Sequence, residues 1–586
     1  MATDLIDREE LAAKFHATTE DIRLRRTTVE ERWLRVHDAW SGVQSYSYYA
    51  SEFQHFIPAL RRTIEKQVNR TVSQLMPHHE FYQVFPGAEN DPRADVQAAS
   101  VHRYMDWLLT DRVKIRKVVK QLARTFYLYS RCIAKNTVRV YQYQDPMGRT
   151  VKMVWPETRA VDPFNFYVWP ETATDLEQAS ICFEDVVIPY NEYQEYVTIG
   201  TADPLKVEDL RAPALPAHVT RRLAKDGLPE PQAVADSGTT GTEAAQHFVH
   251  LREIYFRGNE GRWVCGWLVI NTAKPTFVRL QVSKYPRPPY RMAVDRELPG
   301  QHYTPGMGED IEPSQVLLND QFNQGEESRA VASGPPIILD PTRVKRADTF
   351  VFGYRRKWYG DPNAVKVLDV PDTSQSALRA AMFTLQYMEG FGPSGLMSGQ
   401  PPRGTPRGSG AVSQLVTMAG ADLVESSKTI EEECLTPSLQ DLYDLTVTFV
   451  PPEQIIQIPG AEGMAPLITE AKALFGSWYF KWAGASRFQD KQADAQLALG
   501  YLQTLSRLAP LLPQQGYKVD WATLTRILWK DILGERRLAQ VIQPMSPEEM
   551  RQYLGMQILM QRSQGGGGGG SPMGPMPSER ALMGGP

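Results

Sequence analysis

The chain has 586 residues, a net charge of −4, and 42% hydrophobic and 23% charged residues. Single cores stop growing near ~250–300 residues, so several bodies are expected, and the ordinary apolar content argues against a disordered chain. The near-neutral charge argues against tight wrapping of nucleic acid, which needs clustered Lys and Arg, but leaves room for a protein past which DNA moves. Four cysteines occur, Cys132, Cys182, Cys265 and Cys434. They form no CxxC pair and sit among apolar neighbours, which predicts buried reduced thiols. No apolar run approaches ~18 residues and no signal-peptide pattern opens the sequence, so the expectation is a cytosolic assembly without a membrane span.

In chain order, Thr28 and Glu31 make a capping-box pattern before a helix carrying Trp33, Leu34, Val36 and Trp40. A clearer helix starts at Pro58, with Leu60, Ile64, Val68, Val72 and Leu75 on one face, and ends before Pro77. A short strand, Phe81 to Phe85, precedes two helices over about 92–110 and 112–129, whose core candidates include Val118, Val119, Leu122 and Phe126. Strand signals run from Ile133 to about Val187 and include the aromatic block Asp162 to Pro170. The segment 201–245 is rich in Pro, Ala, Asp and Gly and reads as an exposed excursion with a short helix near Val219–Lys225. Strands resume at His250–Phe256, Trp263–Ile270 and Phe277–Val282, with Asn259-Glu260-Gly261 as a hairpin turn.

A helix start follows at Glu312, with Pro313 in the first turn. This helix is mostly polar, with Val316, Leu317, Leu318 and Phe322 as its narrow apolar stripe, so it is expected to pack against copies of itself or to bridge two bodies. It stops at Gly334-Pro335-Pro336, before the apolar strand Ile337-Ile338-Leu339. Thr342 to Val370 is rich in strand formers and positive charge. Asp372 and Thr373 cap a helix through Leu378, Met382, Leu385 and Met388 that stops at Gly390. A Gly/Pro/Ser loop, Phe391 to Gly410, leads to a long helix from Ala411 to about Thr448 that Pro437 should kink. Residues 467–560 read as helical and leucine-rich, and the tail from Gln564 is low-complexity.

Few constellations carry chemistry. Gly390 to Gly395 matches GxGxxG, but a helix precedes it and Pro393 removes a backbone donor, so a loop is expected rather than a phosphate turn. No Walker A sequence occurs. His78-His79, and His247 with His250, lack ligand spacing, so no metal is expected. Asn69-Arg70-Thr71 is a formal glycosylation sequon inside a helix. Glu431-Glu432-Glu433 spreads over ~200° of helix arc and reads as a solvated face. No Ser, His and Asp set nominates a triad, so no catalytic residue and no cofactor is expected. Arg343, Lys345, Arg346, Arg355, Arg356 and Lys357 are interleaved with Tyr354, Trp358 and Tyr359, which is either a docking surface or a charge-guarded strand edge. Arg403 and Arg407 in the Gly/Pro loop could touch a passing phosphate backbone or simply face solvent.

The order of these parts resembles a bacteriophage portal protein of the podovirus type, the head-to-tail connector. It rests on the early helices, the strand Phe81–Phe85, the block Asp162–Trp169, and Pro289-Tyr290-Arg291 with the lead Gly306-Met307-Gly308. The polar helix, the Gly334-Pro335-Pro336 break, the small β module, the second helix, the loop and the kinked helix complete it. The resemblance implies an α+β, predominantly helical fold with wing, stem, clip and crown, assembled as a ring. On that reading 1–305 is wing, 306–333 the first stem helix, 334–371 the clip, 372–390 the second stem helix and 391–410 the tunnel loop. The long helix and its return to the wing take 411–466, the crown 467–563 and the tail 564–586.

Carried over to residues, the resemblance puts Gly392, Pro393, Arg403 and Arg407 at a DNA channel. Arg343, Lys345, Arg346, Arg355, Arg356, Lys357 and Trp358 fall on a clip docking surface, and Glu312, Gln321, Glu326 and Arg379 on the stem. It implies a homo-oligomer, a dodecamer, at one capsid vertex of the virion, with double-stranded DNA passing through. Its partners would be the large terminase, tail adaptor, scaffolding and capsid proteins. The excursion at 201–245 matches the pattern poorly. The alternatives are another ring-forming virion protein, an adaptor or tail component, or a nucleotide-binding enzyme using Gly390–Gly395.

Overall fold

The computed structural model describes residues 8–485, apart from 50, 78–80, 87–93, 145–147, 149, 174, 212–219, 221–247, 259–260, 284, 286, 341, 344–362, 364, 369–370, 391–424 and 457–475. All of the described residues belong to one unit, Met1–Phe488. The helices form where apolar spacing of three and four gives one buried face. Helices α1 (Arg8–Arg25), α2 (Thr27–Ser41) and α3 (Ala59–Leu75) lead to strand β1 (Tyr82–Pro86) and helix α4 (Ala94–Trp107). A π-turn, Leu108–Val113, joins α4 to helix α5 (Ile115–Tyr129). Leu60, Ile64, Val68 and Leu75 of α3 are fully buried against Val119, Leu122, Ala123 and Phe126 in the largest core cluster.

Two antiparallel sheets follow. Strands β2 (Arg131–Gln144), β3 (Thr150–Val161) and, much later, β9 (Tyr290–Val294) form a three-stranded sheet in the order β3-β2-β9. Strands β4 (Phe166–Trp169), β5 (Ile181–Pro189), β6 (Phe248–Arg257), β7 (Trp263–Val269) and β8 (Thr276–Val282) form a five-stranded meander in chain order. Helix α6 (Tyr190–Thr198) follows β5, and residues 201–211 run back along the meander, with the Asp203 N–H on the Val278 carbonyl and the Arg211 N–H on the Asn271 carbonyl. Ala202 is buried and Leu205, Val207 and Leu210 pack on the core, while Asp203, Pro204, Lys206, Glu208, Asp209 and Arg211 are exposed, so the start of the excursion lies on the surface and is pinned by its apolar residues. The short helix expected near 219–225 lies outside the described residues. The β6–β7 turn does form, with the Gly258 N–H on the Arg262 carbonyl and Gly261 at φ +72°, where a Cβ would strain the backbone.

Helix α7 (Met307–Ser333) and helix α8 (Ser374–Gly390) flank a ribbon made of β10 (Ile337–Leu339) and β11 (Val365–Val367). A second π-turn, Ile430–Leu435, runs directly into α9 (Thr436–Phe449), so the helix widens just before Pro437 and continues through it. Helix α10 (Pro452–Ile456) follows, and strand β12 (Trp478–Trp482) pairs antiparallel with β1. Gln454 of α10 seals the open edge of β3: its Oε1 accepts from the Val154 N–H at 3.1 Å and its Nε2 donates to the Val154 carbonyl at 2.9 Å. A side-chain amide there stands in for a missing strand.

These observations correct the expected fold class. Among the described residues helices and four antiparallel sheets are mixed, so the fold is not predominantly helical, and no portal fold of wing, stem, clip and crown is evident. The resemblance weighted the helices because their periodicity is local, whereas β2, β9, β1 and β12 find their partners far away in sequence. The helical reading of 467–560 is also corrected at Trp478–Trp482, a strand with alternate residues buried. Glu431 is not solvated either: it is fully buried, and its Oε2 accepts from the Ala485 N–H at 2.7 Å. All four cysteines are free and buried. No helix among the described residues is long and apolar enough to cross a membrane.

Buried charge fixes how the layers meet. Lys135 of β2 donates to Glu184 of β5 at 2.7 Å and also to Glu253 of β6; Arg159 of β3 and the Tyr290 hydroxyl complete the shell around Glu184. Arg252 of β6, fully buried, makes a bidentate pair with Asp185 (2.6 and 2.9 Å) and reaches Thr19 and Glu20 of α1. Arg26 donates to the Pro163, Phe164 and Phe166 carbonyls and lies 3.5 Å over the Tyr167 ring, which fixes the aromatic block after Asp162. Removing one partner from a buried pair leaves the other charge uncompensated, at ~3–5 kcal/mol. Asp185→Asn removes the bidentate partner of Arg252 while Glu20 stays in place, so unfolding stability is expected to fall by about 1–3 kcal/mol, measured as a denaturant midpoint shift at constant slope.

Candidate functional site

The helix pair α7–α8 holds all the expected stem positions. Helix α7 starts at Met307, not Glu312, because Gly306 and Gly308 let its first turn press on the end of α5. A Cβ at Gly308 would sit 2.6 Å from the Leu128 carbonyl oxygen, and one at Gly306 2.6 Å from the Ser130 nitrogen. Pro313 consequently lies inside the helix and not in its first turn.

Polarity on α7 is used within the chain. Gln315, Asn319 and Asn323, spaced by four, share one face, and all are buried. Gln315 Oε1 accepts from the Leu60 N–H at 2.8 Å, and its Nε2 donates to the Ile57 carbonyl at 2.6 Å. Asn319 Oδ1 accepts from the Ile57 N–H at 3.0 Å. Asn323 Oδ1 accepts from the His55 N–H at 2.9 Å, and its Nδ2 donates to the same residue's carbonyl at 3.3 Å. Asp320 then takes Gln44 Nε2, Ser47 Oγ and the Tyr48 N–H, at 3.0, 2.6 and 2.6 Å. The α2–α3 connection has no strand partner, so these side chains satisfy its backbone. Part of the polarity expected to serve contacts with copies of the chain, or a bridge between two bodies, is thus used within one chain.

The expected stem residues separate by role. Glu312 is buried beside the Tyr46 hydroxyl, and burial pushes its carboxyl above the usual range. Gln321 accepts from the Thr384 hydroxyl at 2.8 Å and so ties α7 to α8. Ser328 does the same one end further on, through the Thr373 N–H and hydroxyl at 3.0 Å each. Gly325 permits close packing, since a Cβ there would meet Ala377 Cβ at 3.3 Å. Glu326 pairs with Arg329 on its own helix, and Arg379 is exposed on α8. Helix α8 divides cleanly. Ser374, Ala381, Thr384 and Met388 are buried, while Met382, Phe383 and Tyr387 remain 66%, 72% and 56% exposed.

Of the other expected positions, Arg343 pairs with Asp340 at 3.5 Å. Lys345, Arg346, Arg355, Arg356, Lys357 and Trp358 lie outside the described residues, as do Gly392, Pro393, Arg403 and Arg407. Gly390 is the last residue of α8, so a helix does precede the GxGxxG match. Among the described residues no three His, Cys, Asp or Glu side chains are placed to hold a metal.

A separate cleft of about 780 Å³ opens between Asp175–Glu177, Arg257, Trp263, the 287–297 segment and Glu433. It holds no nucleophile–base pair. Its distinctive group is Glu433, which accepts from the Val294 N–H at 3.3 Å. Desolvation, then the neighbouring Glu297, Asp175 and Glu432 carboxylates, push its carboxyl up to about 7. No protein-family model matches the chain, and no curated protein sequence matches it.

Two expected outcomes follow from this geometry. Asn319→Ala leaves the half-buried Ile57 N–H without its acceptor, so stability falls by about 1 kcal/mol, read as a denaturant midpoint shift. Glu433 binds its proton more tightly folded than unfolded, so its contribution to stability is full below about pH 4.5 and is lost as pH rises through about 7. The drop in melting temperature from pH 5 to pH 8 is therefore expected to be smaller in Glu433→Gln than in the wild-type chain.

Proposed function

We propose that this chain assembles into a closed, non-enzymatic ring that conducts double-stranded DNA, the role of a phage portal protein in a virion. The observation that carries this reading is the face of α8 that stays exposed among the described residues. Met382 and Phe383 project from one side of a helix whose other side packs on α7 and α3. Large apolar side chains this exposed mark an association surface. The antiparallel helix pair with a small β-ribbon between its members, in the order α7–β10–β11–α8, supports the same reading. At ~1.5 Å per residue α7 extends about 40 Å, long enough to contribute one stave of a channel wall.

A ring needs heterologous contacts that close by rotation, and a face on a projecting helix provides one half of such a contact. Twelve copies is the count the sequence resemblance implies. On this reading the terminase and tail adaptor proteins dock on the assembled ring, and the near-neutral chain lets DNA slide where strong neutralisation would hold it.

Class averages of the purified full-length protein by negative-stain electron microscopy are expected to have rotational symmetry and a central channel. The double variant Met382→Glu, Phe383→Glu is expected to remain folded by circular dichroism but to run as a monomer. A wild-type protein that is monomeric at high concentration overturns the ring, and a variant that still forms rings removes α8 from the interface.

A further inference from the structure

The outer surface of α3 and α5 carries a concentration of positive charge that the fold does not use. On α5, Ile115, Val118, Val119, Leu122 and Phe126 point inward, and Arg116, Lys117 and Lys120 point outward, with Lys114 just before them. On α3, Arg62 and Lys66 are the matching exposed cations. None of these six makes an ion pair among the described residues. The two rows meet where Arg124 of α5 pairs with Glu65 of α3 at 2.7 Å, and where Trp40 has Arg61 and Arg124 each 5.6 Å from its ring. Glu65 is thus already neutralised, and neither helix carries another acidic residue; the exposed acids that precede α5 in sequence, Asp106 and Asp111, stand before its cations.

A merely solvated face would mix signs. Here Arg62 with Lys66, and Arg116 with Lys120, are like charges four residues apart on their helices, a spacing that destabilises each helix slightly. The arrangement opposes folding, so a ligand that neutralises it is the better account.

We propose that the α3–α5 face binds the phosphate backbone of duplex DNA without reading its sequence. Two rows of cations on adjacent helices suit phosphates arrayed across a double-helical surface. Exposed aromatic rings, on which unpaired bases would stack, are absent from the outward rows of these two helices. The surface does not depend on the ring: a single copy carries it whole.

The test is fluorescence anisotropy of a labelled random-sequence duplex of about 30 base pairs against the full-length protein, between 50 and 200 mM salt. Six phosphate contacts give a slope of log affinity on log salt near −5, a loss of about 10³-fold over that range. The variant Arg116→Ala, Lys117→Ala, Lys120→Ala keeps good helix formers at exposed sites and is expected to fold. Its slope is expected near −3, with affinity reduced at least tenfold at 100 mM salt. The control Arg262→Ala, Lys274→Ala, at exposed cations elsewhere, is expected to bind as the wild type. Wild-type slope and affinity in the triple variant overturn the proposal, as does a wild-type protein that binds polyglutamate but not DNA at 50 mM salt. Ring formation by microscopy is read on the same samples, so loss of assembly and loss of DNA binding are told apart.

Discussion

Three side-chain amides on one face of α7 hold the α2–α3 connection and the first turn of α3 in place. Asn319 and Asn323 each accept a backbone N–H from the connection, Gln315 accepts that of Leu60 in α3, and Gln315 and Asn323 return a donor to the connection's carbonyls. A connection without a strand partner would otherwise bury backbone groups unpaired, each at ~1–3 kcal/mol. The amides act as a strand edge wound on a helix. An apolar face at those positions would pack as tightly and leave the connection unanchored, so α3 would lose the register that sets its face against α5.

The same solution recurs wherever regular structure ends. Gln454 closes the edge of β3, and Arg26 gathers three carbonyls of the turn before β4. Between the two larger sheets the device is charge. Lys135 faces Glu184 and Glu253, with Arg159, Tyr255 and Tyr290 taking further lone pairs. Such clusters add little net stability, because desolvation offsets most of the attraction. What they do supply is exclusivity: a slip of β5 by one residue would turn Glu184 away from Lys135 and leave both charges buried alone.

Local patterns were legible and long-range ones were not. The faces of α3 and α5, the β6–β7–β8 meander and the pair α7–α8 follow from periodicity, since apolar spacing alone decides which side turns inward. Arg26, Lys135, Glu184 and Arg252 gave no such signal, because each earns its burial from a partner distant in sequence. The use of α7's amides inside the chain was not legible for the same reason: hydrophobicity counts treat Gln and Asn as surface residues, yet a backbone segment without partners is an ideal ligand for them. Strand β12 was a different kind of miss. Trp478, Phe480 and Trp482 alternate with Tyr479 and Lys481, a period-two pattern present in the sequence but hidden by the helical reading of its surroundings.

The face proposed for self-association and the face proposed for DNA are carried by one helical layer, since α3 contacts both α8 and α5. Their physics separates them. Contact through Met382 and Phe383 is apolar, so salt strengthens it slightly if at all. Contact through Arg62, Lys66, Arg116, Lys117 and Lys120 is counterion-driven and weakens steeply with salt. On the proposed reading, copies would stay together under conditions in which the grip on DNA relaxes. Durable assembly with a weak, sequence-blind hold is what a conduit for a moving polyanion requires, and the two proposed faces lie on different helices of the same layer.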